Sequence, residues 1–222
     1  MNELTNWLIN NGLTIDLLTL LLFIPVIATL LNFSRYIVGA KTLGVYPTLA
    51  LAFAFYLSGA RYGIIITVIV TAITLLVHTL TKKFRMHYIS RISINYILIS
   101  ILLIGFLVIM EKLPFINTDL EFKNVSAVSI ILITTLSDFI IKTYIKKDLF
   151  TTSRSIIETL IIASIGWAII RFDVIAMFMI NNLWIILVLI VINIMIGQTK
   201  ALRLTDLLRF NQLFKNDSRL SK

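Results

Sequence analysis

No cysteine occurs among the 222 residues. That absence excludes disulfides, thiolate metal ligands and a cysteine nucleophile, and it removes any redox clue to compartment. Histidine is almost as scarce, with only His78 and His87, so an all-protein zinc site would have to lean on carboxylates; no metal and no cofactor is expected. Acidic residues number 11 against 20 Lys and Arg. With three prolines and eight glycines, no Pro/Gly/Ser linker, low-complexity tract or short-period repeat interrupts the chain, and one domain is expected. What fills the space is apolar: 59% of residues, against about 45–50% in soluble domains. Such a chain must be solvated by lipid. Its net charge of +9 then belongs to topology and anionic headgroups, not to nucleic acid.

The N-terminus does not read as a cleavable signal. Glu3 and Asp16 stand where basic residues would be needed, and no small-residue cleavage site follows the first apolar run, which is therefore read as a retained anchor. A helix needs about 20 mainly apolar residues to cross the hydrocarbon core, and seven stretches meet that demand: 16–35, 45–60, 62–82, 92–112, 126–145, 152–171 and 176–197. Pro25 lies inside the first, where a kink is tolerable if neighbours satisfy the freed carbonyl. Gly59-x-x-x-Gly63 falls on the turn between the second and third spans and is read as turn chemistry, because that pattern alone is weak evidence for helix pairing.

Assigning the loops places Arg35, Lys41, Lys82, Lys83, Arg85, Arg91, Lys142, Lys146, Lys147, Arg154, Lys200, Arg203, Arg209, Lys215, Arg219 and Lys222 on one side. Arg61, Lys112, Lys123 and Arg171 fall on the other. By the positive-inside rule the larger set is cytoplasmic, so the N-terminus is outside and the C-terminus inside. The second and third spans, with only Arg61 between them, could instead form a re-entrant pair without altering later directions. The expected fold is an all-α membrane protein: a short outer segment over 1–15, a seven-transmembrane-helix bundle over 16–197, a cytoplasmic interfacial amphipathic helix over 198–214, and a polar tail over 215–222. In the interfacial helix Leu204, Leu207, Leu208 and Phe214 share an apolar face, with Arg203, Asp206 and Arg209 elsewhere.

Charges inside spans are costly and usually face a bundle interior or an aqueous cavity. Asp138 and Glu158 each lie about two turns in from the cytoplasmic end of consecutive spans. One reading is a polar pocket open to the cytoplasm, lined by these two carboxylates and reached by His78, Asn95 and Asn193, all in the inner halves of their helices. The other is two local ion pairs at i, i+4 spacing, Asp138 with Lys142 and Arg154 with Glu158, together with interhelical hydrogen bonds from the amides. Catalysis is unsupported. The last span offers no lysine for a retinal Schiff base before Lys200, Ser58-Gly59 lacks a Gly-x-Ser-Gly setting, and Asp138 has neither a Gly-x-Gly-Asp context nor a second deep Asp.

The run Pro25-Val26-Ile27-Ala28-Thr29-Leu30, then Arg35, Ile37, Gly39, Thr42, Gly44, Tyr46 and Pro47, and the closing Gly197 with Leu202-Arg203-Leu204-Thr205-Asp206 and Arg209-Phe210, resemble the bacterial seven-transmembrane module usually fused to an inactive transglutaminase-like domain. Glu158-Thr159-Leu160 fits as well. The resemblance implies an integral protein of the bacterial cytoplasmic membrane. It also implies association with an ATP-grasp ligase in the cytoplasm and a pepsin-like peptidase, and so a scaffold or receptor-like module in a peptide-modification system. With about fifteen residues ahead of the first span, the outer domain is expected to be absent or supplied in trans by a separate transglutaminase-like protein. Arg35, Arg203, Asp206 and Arg209 are the positions most like family signature residues. For them the resemblance leaves two roles, binding lipid phosphates or docking a soluble cytoplasmic partner. A small transporter and a membrane enzyme at the inner interface remain the competing functions.

Overall fold

The computed structural model describes residues 3–84, 86–112 and 125–198. The described residues are helical, in the order α1 (Glu3–Asn10), α2 (Ile15–Phe33), a π-helical turn (Ser34–Val38), α3 (Val45–Ser58), α4 (Ala60–Thr81), α5 (Tyr88–Lys112), α6 (Ala127–Lys146), α7 (Leu149–Arg171), α8 (Asp173–Asn181) and α9 (Ile185–Gln198). Among the described residues, five helical segments are long and apolar enough to cross a membrane: α2 with its π-helical turn, α4, α5, α6 and α7. The pair α8 and α9 makes a sixth if it counts as one bent span. At 14 residues, α3 is about 21 Å long, short of the roughly 30 Å hydrocarbon core. Arg203, Asp206, Arg209, the expected interfacial helix over 198–214 and the tail over 215–222 lie outside the described residues, apart from the last position of α9.

The chain forms two compact units. One joins Met1–Thr42 to Ile169–Lys222, and the other is Leu43–Ala168.

In the first unit α2 begins at an N-cap, with Thr14 Oγ1 accepting the Leu17 N–H, which satisfies one of the four orphan donors of a helix start. It then runs unbroken through Pro25. Leu18, Leu22, Ile27 and Leu31 are buried along it while Leu17, Leu21 and Ile24 are exposed. Both faces are equally apolar, because lipid solvates the outer face as well as protein fills the inner one. α2 packs against α8 and α9. The short α1 is tied to the same group by Thr5, whose buried hydroxyl donates to the Ile180 carbonyl at 2.7 Å.

The continuous seventh stretch expected over 176–197 is corrected to two helices meeting at 101°. The cause is local. Asn182 leaves the helical region at φ −131°, ψ 66°, its Nδ2 donates to the Phe178 carbonyl at 3.0 Å, and its Oδ1 accepts from Trp184 Nε1 at 3.3 Å. An Asn side chain that caps the preceding turn competes with the helical ladder and ends it.

In the second unit α6 packs against α3, α4 and α5, and α4 packs against α3 and α5. Only Gly59 separates α3 from α4. Its φ of 81° is the left-handed conformation that a side chain resists, so the turn reading holds for Gly59. It fails for Gly63, which lies inside α4 with the Phe55 ring against its Cα, where any Cβ would collide. The glycine is there to let α3 and α4 close on each other, as small residues do between membrane helices.

Candidate functional site

Four of the five pocket residues expected from the sequence fall in the second unit, on α4 (His78), α5 (Asn95), α6 (Asp138) and α7 (Glu158). Asp138 makes two bonds: Oδ2 accepts from Lys142 Nζ at 2.7 Å, and Oδ1 accepts from the Tyr88 hydroxyl at 2.5 Å. The Lys142 partner was legible at i+4. Tyr88 was not, because its partner lies fifty residues away on another helix and nothing in the local pattern points across the α5–α6 interface. Lys142 Nζ also lies 5.5 Å from the centroid of the Phe139 ring, and that ring stacks on Tyr46 of α3 at 5.6 Å. A charge and three aromatic rings thus link α3, α5 and α6 at one level.

Glu158 accepts from Arg154 Nε at 2.7 Å, one turn away on α7. In both ion pairs the cation is about half exposed and the carboxylate about one-fifth, so each pair adds well under about 1 kcal/mol to stability. Beside Glu158, Thr159 is fully buried and its hydroxyl is used twice. It donates to the Ser155 carbonyl at 2.7 Å and accepts the Leu43 N–H at 3.0 Å. This bond joins two stretches that carry the family resemblance, the Gly39–Pro47 connection and Glu158-Thr159-Leu160. Thr48 helps the same connection turn into α3, donating to the Gly44 carbonyl at 2.8 Å.

His78 and Asn95 are buried in the packing of α4 and α5. The His78 ring meets Tyr144 of α6 edge-on at 4.8 Å, and Arg91 and Lys82 stand within electrostatic reach of it. Among the described residues, neither His78 Nδ1 nor either amide atom of Asn95 has a hydrogen-bond partner, and the same is true of Arg91 Nε and Thr71 Oγ1.

Asn193 belongs to the first unit, on α9. Its Oδ1 accepts from Asn32 Nδ2 at 2.8 Å, and its Nδ2 donates to Thr29 Oγ1 at 2.6 Å and to the Leu189 carbonyl at 2.8 Å. Thr29 in turn donates to the Pro25 carbonyl at 2.7 Å. The amide is a bolt between α2 and α9, with its hydrogen-bonding capacity used inside its own unit. Arg35 lies exposed in the π-helical turn, which closes at Gly39 with φ 88°. Insertions of this kind in a helix often mark functional positions.

Residues 13–214 match the model of a family described as 7 transmembrane helices usually fused to an inactive transglutaminase. No curated protein and no solved structure matches the chain.

Proposed function

Because the chain belongs to the family of seven transmembrane helices usually fused to an inactive transglutaminase, we propose that it is a non-catalytic membrane scaffold or receptor-like module serving a membrane-associated peptide-modification system. In this reading it sits in the bacterial cytoplasmic membrane with its N-terminus outside and C-terminus inside. The short α3 completes the count as a second span, flanked by Tyr46 and Tyr56 as interfacial anchors, and α8 with α9 forms a bent seventh. A transglutaminase-like protein docks outside in trans. An ATP-grasp ligase docks on the basic inner face formed by Arg35, Arg203 and Arg209, which also holds anionic headgroups at about 1 kcal/mol per basic residue.

Family membership carries this proposal. It is supported by the bonding of the two intramembrane carboxylates to Lys142, Tyr88 and Arg154, which leaves them poorly suited to act as catalytic bases. Co-purification from detergent extracts tests it. The intact chain should retain a cytoplasmic partner that the Arg203→Glu/Arg209→Glu variant loses, and an identical set of bound proteins would sink the docking role.

Transport is the second reading, favoured by the break between α8 and α9, since transporter sites are often built on discontinuous helices. Flux of a peptide or amino-acid probe into liposomes carrying the protein, abolished by Asp138→Asn, would displace the scaffold reading.

A further inference from the structure

One face of α4 carries Thr67, Thr71, Thr74, His78 and Thr81 at alternating three- and four-residue spacing, which lines them up along the helix. Three of the hydroxyls are spent locally: Thr67 donates to Gly63, Thr74 to Val70 and Thr81 to Val77. Thr71 Oγ1 has no partner. α4 packs against α5 and α6: His78 meets Tyr144 of α6 and feels the charge of Arg91 on α5, and Asn95 follows Arg91 on the same face of α5, about 6 Å along the axis. Asn95 is 0% exposed, yet both of its amide atoms are unpartnered, as are Arg91 Nε and His78 Nδ1.

Buried side chains of the three helices include the apolar Val70, Val77, Ile99, Ile133, Leu136 and Ile140. A primary amide left dry in such packing forfeits every hydrogen bond it had in water. With no partner among the described residues, water or a bound group is the natural source.

The character of that group follows from what is unspent. Arg91 offers an N–H, Asn95 two and Thr71 a hydroxyl, against the acceptor Asn95 Oδ1, while His78 Nδ1 donates or accepts according to its tautomer. Arg91 supplies a fixed positive charge, and Lys82 adds to it near His78. Of the carboxylates on α4, α5 and α6, Glu111 lies at the opposite end of α5 from Arg91, and Asp138 is already bonded to Lys142 and Tyr88. A donor-rich, positively charged site suits oxygen acceptors bearing negative charge. We propose that the seam between α4, α5 and α6 is a binding site for a small oxyanion, a carboxylate or phosphate group, admitted from the α4–α5 turn and held by Arg91 and Asn95 beside His78. The group belongs either to a soluble ion or to a lipid headgroup, and none of its residues belongs to the docking set proposed above.

The absence of cysteine makes the test direct. Single-cysteine variants Thr74→Cys on α4 and Ser137→Cys on α6 replace fully buried small polar residues and probe the seam, and Ile104→Cys lies on the exposed side of α5. Each is treated, in the full chain, with an anionic sulfonatoethyl methanethiosulfonate and with its cationic trimethylammonium counterpart. Seam cysteines should react faster with the anionic reagent by about tenfold or more, Arg91→Gln should erase that preference, and Ile104→Cys should react with neither. Protection by inorganic phosphate in neutral detergent would identify a soluble oxyanion. Protection only in phosphatidylglycerol nanodiscs, relative to phosphatidylcholine, would identify a headgroup. Unreactive seam cysteines, equal rates with the two reagents, or protection by neither probe would overturn the proposal. If the cysteine variants misfold, melting of the unmodified chain decides: phosphate or phosphatidylglycerol should raise its midpoint but not that of Arg91→Gln, and equal shifts would overturn it.

Discussion

At the residue scale the tightest constraint is Gly63 against Phe55. Alanine there would gain the usual helix preference over glycine, about 0.5–1 kcal/mol, but its Cβ would occupy space held by a ring that is 0% exposed. The ring is rooted in α3 and cannot swing away freely, so overpacking at about 1–3 kcal/mol outweighs the gain. Gly63→Ala should lower the unfolding midpoint in detergent, and Phe55→Leu in the same chain should recover part of the loss; an unchanged midpoint would show that α3 and α4 do not close as described. Thr159 gives a second prediction. Thr159→Val leaves the Leu43 N–H without its acceptor at a cost of about 1–3 kcal/mol, while Thr159→Ser keeps the hydroxyl and should melt close to the unmodified protein. Asp138 contrasts with both. In its ion pair Lys142 is half exposed and Asp138 about one-fifth, and Tyr88 keeps donating to the carboxylate, so Lys142→Gln should change stability by less than about 1 kcal/mol. The i, i+4 partners of Asp138 and Glu158 were readable from spacing alone, because a helix dictates which residues share a face. Tyr88, Tyr144 and the Leu43 contact were not, since each comes from an element remote in sequence.

At the scale of elements, α2 and α9 are joined by polar groups inside an otherwise apolar contact. Lipid tails are as apolar as leucine, so packing alone gives little preference for helix over lipid, and hydrogen bonds supply the specificity. Asn193→Leu should destabilise the first unit by about 0.6–2 kcal/mol. Combined with Asn32→Leu, the loss should be smaller than the sum of the single losses, because the two side chains bond each other. Additive losses would show that the bridge contributes nothing. The break at Asn182 shows where hydropathy reading stops. A run of apolar residues reports that a segment can enter lipid, but whether it stays one helix was decided by an Asn side chain capping Phe178 and accepting from Trp184. α3 makes the related point about length. Apolar content assigned it a span, whereas its helix ends at Gly59 because only a positive φ lets the chain reverse directly into α4.

At the scale of the whole molecule the count of crossings sets direction. If α3 crosses the membrane despite its 14 residues and α8 with α9 makes one bent span, the crossings number seven, the N-terminus and C-terminus lie on opposite sides, and the basic α4–α5 turn with Lys82 and Lys83 faces the cytoplasm. Reporter fusions active only outside or only inside, placed at each terminus and in the α4–α5 turn, should show N-out, turn-in and C-in; both termini on one side would mean that a span has been lost, with α3 the first suspect. Composition and the positions of the charges by themselves determined that this chain is an all-helical membrane protein, where most of its helices lie and which loops carry the positive excess, because the bilayer imposes helix length and the positive-inside bias acts on the chain locally. Only the tertiary structure decided that Asn193 is a bolt between α2 and α9, that Asp138 is held by Tyr88 as well as Lys142, and that His78 Nδ1, Arg91 Nε and the Asn95 amide are buried without a hydrogen-bond partner among the described residues. Those facts depend on which helices meet, and between apolar helices in lipid that choice rests on a few polar and small residues whose partners lie far away along the chain.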